Sequence, residues 1–148
     1  MSSVKIMEAK THEEIATCRP VIQVLRPHVV ESTFVDRVTQ QQKEEGYRLL
    51  YIRQDALGVC AILGFRVLNF LWSGKTMYID DFCTLPSTRG KGYGGALLDR
   101  AAEIAKELDC EGVSLDSGYT RNDAHRLYLN KKFKLDEHHF HRSLTEDQ

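Results

Sequence analysis

The segment Pro86-Ser87-Thr88-Arg89-Gly90-Lys91-Gly92-Tyr93-Gly94-Gly95-Ala96-Leu97-Leu98 carries the strongest chemical signal in the chain. Glycines let a backbone approach an anion closely, and successive N–H groups at a helix start point towards it. Arg89 and Lys91 add charge-assisted contacts, so the stretch Arg89 to Gly95 has the makings of a pyrophosphate cradle. A nucleoside triphosphate loop needs Gly-Lys followed by Ser or Thr, whereas Gly94-Gly95 runs into Ala96-Leu97. A dinucleotide-binding fold places its glycines after the first strand, with an acid about 20 residues on. This loop lies deep in the chain, after a strand that reads as antiparallel. An Arg-x-x-Gly-x-Gly loop between a strand and a long helix is what fits.

Other reactive side chains flank the loop. Asp80 and Asp81 are adjacent acids in an otherwise apolar strand. Strand alternation sends them to opposite faces, and the inward one needs a function or a partner. Either can bind a cationic amine and pass its proton through water, Asp81 being preferred with Asp80 close behind; the alternative is a solvated face residue. Tyr128 shares a helix face with Ala124 and Leu127 at i, i+3, i+4 spacing. It can serve as a general acid, or as a core tyrosine bonded to a backbone carbonyl. Cys83 has no histidine near it in sequence and reads as a buried structural thiol. His125, His138, His139 and His141 crowd the C-terminal end without His-x-x-x-His spacing, so no metal is expected and they read as strand-face or pocket histidines.

The elements that must position these groups follow from periodicity. Val4, Ile6 and Glu8 alternate as a strand. Thr11 with Glu14 forms a capping box, and Ile15, Cys18, Ile22 and Leu25 keep helical spacing, with a kink or restart at Pro20. Ser32 or Thr33 can cap a second helix to Glu45, ended by Gly46. Tyr47 to Arg53, Leu57 to Asn69 and Lys75 to Leu85 read as antiparallel strands. The helix after the loop runs to Leu108 with Leu97, Ala101, Ile104 and Leu108 as its buried stripe. Val113 to Asp116 is a short strand, Asn122 or Asp123 caps a last helix to about Lys131, and Phe133 to Arg142 reads as one or two strands. The order is βααβββαβαβ(β), an α+β or mixed α/β sheet flanked by helices. Residues 1–148 read as a single domain, with 145–148 a frayed tail.

With these residues in place the chain resembles the GCN5-related N-acetyltransferases. Arg89, Gly92 and Gly94 fit their Arg/Gln-x-x-Gly-x-Gly/Ala signature, and Asp80-Asp81-Phe82-Cys83-Thr84-Leu85-Pro86 leads into it as in that family. The likeness extends through nearly the whole chain in element order and is most specific from Met77 to Phe133. It implies acetyl-CoA as donor, its pyrophosphate held by Arg89, Gly90, Lys91, Gly92, Tyr93, Gly94 and Gly95. Phe82, Cys83 and Thr84 would offer backbone groups to the pantetheine arm and acetyl carbonyl. Asn122 stands where the family often has an asparagine touching that arm, a role compatible with helix capping. Tyr128 matches the family's tyrosine, and a phenol suits a departing thiolate because their ordinary pKa values lie within about two units. By analogy of fold, His28 and Glu31 would line the acceptor groove. The segment Leu115 to Tyr128 is similar to a small bacterial branch of the family and, more distantly, to aminoalkylphosphonate N-acetyltransferases. Tyr78 to Phe82 is similar to diamine and polyamine N-acetyltransferases.

The resemblance thus implies acetyl transfer to a primary amine, expected to be that of a small molecule, by direct attack. The alternatives are a CoA-binding sensor or regulatory module, and acetylation of protein lysines or N-termini. Composition excludes other classes. With 20 Lys+Arg against 21 Asp+Glu, the formal net charge of −1 gives no bulk attraction to nucleic acid or an anionic membrane. The apolar run Val59 to Phe65 is far short of the roughly 20 residues of a membrane span. The start, Met1-Ser2-Ser3-Val4-Lys5, has no apolar signal core, so a cytoplasmic protein is expected. Cys18, Cys60, Cys83 and Cys110 contain no CxxC pair and read as small core residues. The resemblance also allows a homodimer.

Overall fold

The computed structural model of the chain describes residues 4–118 and 121–145. Residues Met1–Leu115 and Asp116–Gln148 form two compact units. The expected fraying of the tail falls, beyond Thr145, outside the described residues.

In the first unit, local chemistry sets the helices. The Thr11 hydroxyl accepts the Glu14 N–H at 3.1 Å, and the Glu14 carboxylate takes the Thr11 N–H at 3.0 Å. This capping box starts α1 (His12–Thr17). Cys18 closes α1 and opens α2 (Arg19–Leu25), with Pro20 in the first turn, where its missing N–H forfeits no helical bond. Helix α3 (Glu31–Glu45) ends at Gly46, whose φ of 69° is the left-handed conformation glycine adopts without strain. Its start departs from expectation. Val30 is the N-cap and makes no side-chain bond, while Ser32 and Thr33 lie inside the first turn. The Thr33 hydroxyl bonds back to the Val30 carbonyl instead. Val29 packs against the core just ahead, so tertiary packing sets the entry point.

Strands β1 (Ile6–Glu8), β2 (Arg48–Gln54), β3 (Gly58–Phe70) and β4 (Gly74–Thr84) pair antiparallel in that order. Strand β5 (Gly112–Leu115) joins β4 in parallel, from Thr76↔Gly112 to Ile79↔Leu115. Alternation divides the burial. Tyr47, Leu49, Tyr51 and Ile62 share a core with Ile15, Val21, Ile22, Phe34 and Val38 of the first three helices. Leu50, Ile52, Leu63 and Phe65 are buried on the other face, where α4 (Tyr93–Glu107) packs Leu97, Leu98, Ala101, Ile104 and Ala105. Cys18, Cys60 and Cys83 are buried thiols; Cys110 is only partly buried, and Leu108 lies at the margin of the α4 stripe.

Two irregularities interrupt the ladder. On β4, Gly64 of β3 pairs with Asp81 and Phe65 pairs with Ile79, which leaves Asp80 as the extra residue of a β-bulge. On β3, Ile52 pairs with Ala61 and Arg53 with Val59, so Cys60 is extra in the same way.

The second unit holds α5 (Asn122–Asn130). Its N-cap is Arg121, without a side-chain bond, so neither Asn122 nor Asp123 caps it; both stand in its first turn. Tyr128 is buried, its ring 5.9 Å from that of Phe133, whose N–H returns to the Tyr128 carbonyl at 3.0 Å. The strands expected from Phe133 to Arg142 do not form. The alternation of Phe133 and Leu135 stops at four polar residues, Asp136 to His139, and both Leu135 and Phe140 are exposed. Without one apolar face to bury, nothing specifies a strand register. No helix among the described residues is long and apolar enough to cross a membrane.

Helix α1 has six residues, too few to hold without its cap. Thr11→Ala is expected to cost about 1 kcal/mol in a urea titration, with an unchanged m-value.

Candidate active site

Partly burying two consecutive carboxylates demands partners, and the fold provides two guanidiniums and a phenol. The Arg66 guanidinium of β3 grips Asp80 with Nε at 3.1 Å and Nη2 at 2.6 Å, and reaches the Gln41 side-chain oxygen at 2.8 Å. Arg26, just past α2, donates from Nε to Asp81 at 3.2 Å and from Nη2 to the Asp80 carbonyl at 2.9 Å. Tyr47 donates its hydroxyl to the second Asp81 oxygen at 2.8 Å, and its ring centroid lies 5.5 Å from the guanidinium carbon of Arg66. The aspartates are therefore not separated by the sheet as simple alternation predicts. The bulge at Asp80 interrupts the two-residue period, and both side chains enter one network.

Electrostatics assign the protons in that network. Burial holds the Asp80 carboxyl above its ordinary range, against the pull of Arg66 and with Asp81 adding to the rise. Burial, reinforced by Asp81, pushes the Tyr47 phenol well above its ordinary value, so it donates to Asp81 and does not ionise. Tyr47 reaches Asp81 because Gly64 lies beneath it: a Cβ there would sit 1.8 Å from the Tyr47 hydroxyl. Sequence reasoning missed Tyr47, Gly64, Arg26 and Arg66. Only Gly64, a glycine inside an apolar strand, carries a local signal, since such glycines mark close approach by another group.

Of the two acids, Asp81 lines a cavity of about 150 Å³ together with Arg26, His28, Arg37, Gln41 and Tyr47. His28 thus lines the same cavity as Asp81. Glu31 is not among the lining residues; its carboxylate is exposed and 3.9 Å from Arg19.

The glycine-rich loop leads from β4 to the start of α4. A single 3-10 turn, Pro86–Thr88, follows β4. The carbonyl of the bulged Cys60 accepts the Leu85 N–H at 2.8 Å and the buried Thr88 hydroxyl at 3.5 Å, tying the loop's start to the sheet. Gly90 and Gly92 have φ of 84° and 83°. A Cβ at either would meet nothing, so it is the left-handed backbone that calls for glycine. Gly92 is the N-cap of α4 and has no side chain to cap with. The first N–H groups of the helix, from Tyr93, Gly94 and Gly95, have no intrahelical acceptor and carry the positive end of its dipole. Tyr93 is tied back to the β2 end by Gln54. Arg89 and Lys91 are exposed and form no salt bridge among the described residues. Guanidinium, ammonium and aligned N–H groups suit a pyrophosphate.

Phe82 and Cys83 are buried and Thr84 partly buried on β4, which runs directly from the acids into the loop. Asn122 is exposed on α5, and Tyr128 is buried six residues later. His139 lies 3.5 Å from Asp116, and among the described residues no three His, Cys, Asp or Glu side chains gather as a metal site.

Gly64→Ala is expected to force Tyr47 off Asp81. Overpacking of this kind costs about 1–3 kcal/mol, measurable by denaturant titration.

Residues 12–133 match the family described as acetyltransferase (GNAT). The uncharacterized N-acetyltransferase YhdJ of Bacillus subtilis (strain 168) is 30% identical over 128 residues, 86% of this chain and 89% of that protein. The aminoalkylphosphonate N-acetyltransferase of Salmonella typhimurium is 30% identical over 99 residues, 66% of this chain and 62% of its own length. The fold is similar to the crystal structure of a transcriptional regulator from Bacillus halodurans C-125, with a TM-score of 0.84 at 22% identity over 96% of this chain and 100% of that one. A match of the family over most of the chain, with the acid cluster and the anion loop inside it, leaves one assignment: the chain belongs to the acetyltransferase (GNAT) family, a family of acyltransferases.

Proposed function

We propose that the chain transfers an acetyl group from acetyl-CoA to the primary amine of a small molecule by direct attack. The observation that carries this reading is the continuity of one strand. Strand β4 presents Asp81 to a small cavity, ends three residues past it and leads through one 3-10 turn into a loop suited to a pyrophosphate. Acetyl-CoA supplies an activated thioester. Arg89, Lys91 and the N–H groups from Gly92 to Gly95 hold its phosphates, and Phe82, Cys83 and Thr84 guide the pantetheine arm towards Asp81. Asn122 adds a contact to that arm.

Asp81 receives the acceptor ammonium and takes its proton, directly or through water. It faces the cavity, whereas the Asp80 carboxylate is held on both oxygens by Arg66 and serves to fix Arg66 and the bulge. The amine nitrogen bonds to the acetyl carbon as the carbon–sulfur bond breaks, and the second proton that the nitrogen sheds passes to solvent. Tyr128 gives its phenolic proton to the departing thiolate and regains one from solvent. No covalent intermediate on the protein is needed, which leaves Cys83 a structural thiol. The acceptor reading accords with the relative named for aminoalkylphosphonate, an acceptor joining an amine and an acid on one small skeleton. The protein works as a soluble cytoplasmic enzyme, without a metal, and a homodimer is compatible with it.

Thiol release from acetyl-CoA, followed across a panel of small amines, is expected to depend on the amine. Tight CoA binding with no turnover on any amine would instead identify a CoA-binding module. Tyr128→Phe and Asp81→Asn are each expected to lower kcat about 100-fold, with little change in KM for acetyl-CoA. Arg89→Ala is expected to act the other way, raising that KM roughly tenfold with kcat retained. An unchanged kcat in Tyr128→Phe would leave Tyr128 as a core residue.

A further inference from the structure

The cavity next to Asp81 carries more positive charge than an amine-binding site requires. Its one lining carboxylate, Asp81, is already paired with Arg26 at 3.2 Å and accepts from Tyr47 at 2.8 Å. A second guanidinium, Arg37 of α3, lines the same cavity. Among the described residues Arg37 makes no ion pair and no side-chain hydrogen bond. His28 lines it as well. Two arginines against one carboxylate leave a formal surplus of one positive charge. An acceptor bearing only ammonium groups would enter against that surplus. One that also carries an acid would cancel it.

We propose that Arg37 is an anion-binding specificity residue and that the acceptor is a small amine carrying its own acidic group, a carboxylate or a phosphonate. This rests on the acetyl-transfer reading and narrows its acceptor. The acid pairs with the Arg37 fork, in the planar two-oxygen geometry that guanidinium offers to carboxylate and phosphonate alike. The amine is thereby set towards Asp81, on the strand across from α3. A cavity of about 150 Å³ accommodates a molecule the size of benzene, enough for a short amino acid or aminophosphonate. Asp80, the other acid of the cluster, has both carboxylate oxygens on Arg66 and does not line the cavity.

The test compares matched acceptors with the full-length protein and acetyl-CoA: β-alanine, its amide, 2-aminoethylphosphonate, propylamine and 1,3-diaminopropane. The acid-bearing amines are expected to show kcat/KM at least tenfold above the amide, propylamine and the diamine. Arg37→Gln is expected to raise KM for the acid-bearing amines about tenfold, leaving kcat and KM for acetyl-CoA in place. Arg37 is exposed, so folding is retained, and circular dichroism checks it. Arg37→Glu is expected to shift preference towards the diamine. Equal or better turnover of the uncharged or dicationic amines by the wild type, or unchanged selectivity in both variants, would overturn the proposal while leaving acetyl transfer intact. Calorimetry with acetyl-CoA separates the remaining case: no acetyl-CoA binding and no thiol release with any amine would overturn the underlying reading and this proposal with it.

Discussion

Two neighbouring carboxylates on a buried strand set the terms for the rest of this structure. Asp80 and Asp81 would repel each other and lose hydration at once if left alone in the sheet. The fold meets this with two guanidiniums and a phenol drawn from distant parts of the chain. Arg26 comes from the end of α2, Arg66 from β3, and Tyr47 from the junction of α3 with β2. Each brings a backbone requirement. The hydroxyl end of Tyr47 must pass over position 64, which only a residue without a side chain permits. Arg26 must stand where α2 has just ended, with its N–H returned to Ile22. Asp80 must leave the regular ladder, which the bulge achieves.

The same sheet also fixes the glycine-rich loop, through a second bulge. Cys60 is the extra residue there, and its carbonyl anchors both Leu85 and Thr88 ahead of the loop. An anion site at a helix N-terminus is useful only if the loop presents its N–H groups in a fixed direction. Left-handed Gly90 and Gly92 turn the chain, and the Gln54 contact to Tyr93 holds the first turn of α4. The acid cluster and the glycine-rich loop thus each depend on one local departure from regular strand pairing.

Features written in a few consecutive residues were legible in the sequence. The Thr11 and Glu14 box, the stop at Gly46, the restart around Pro20 and the turn of the glycine loop into α4 each rest on short-range geometry, and each forms as expected. The placement of the acids was less legible. A bulge is a property of two strands, and nothing in Asp80-Asp81 alone says that Gly64 will face Asp81 while Phe65 faces Ile79. The pairings of Asp80 with Arg66 and of Asp81 with Arg26 span 14 and 55 residues, beyond any periodicity argument. The start of α3 shows the same limit, since the packing of Val29 outweighed the capping chemistry of Ser32 and Thr33. At the C-terminal end, alternation over Phe133 to Leu135 was too short to specify a strand once four polar residues followed.

The near-zero net charge conceals how unevenly the two aspartates are compensated. The Arg66 side chain is only 15% exposed and is shared among Asp80, Gln41 and Glu45, so releasing Asp80 would leave a largely buried guanidinium short of its strongest partner. Arg26 is 44% exposed and lies on a loop, so water can replace Asp81 around it at small cost. On the proposed function, an incoming ammonium exchanges with Arg26 at Asp81, while Asp80 stays committed to Arg66. The Tyr47 bond persists through that exchange because it uses the other carboxylate oxygen and a phenol that stays protonated. Of two acids that look alike in sequence, the partner's exposure makes one a fixed strut and the other an exchangeable site.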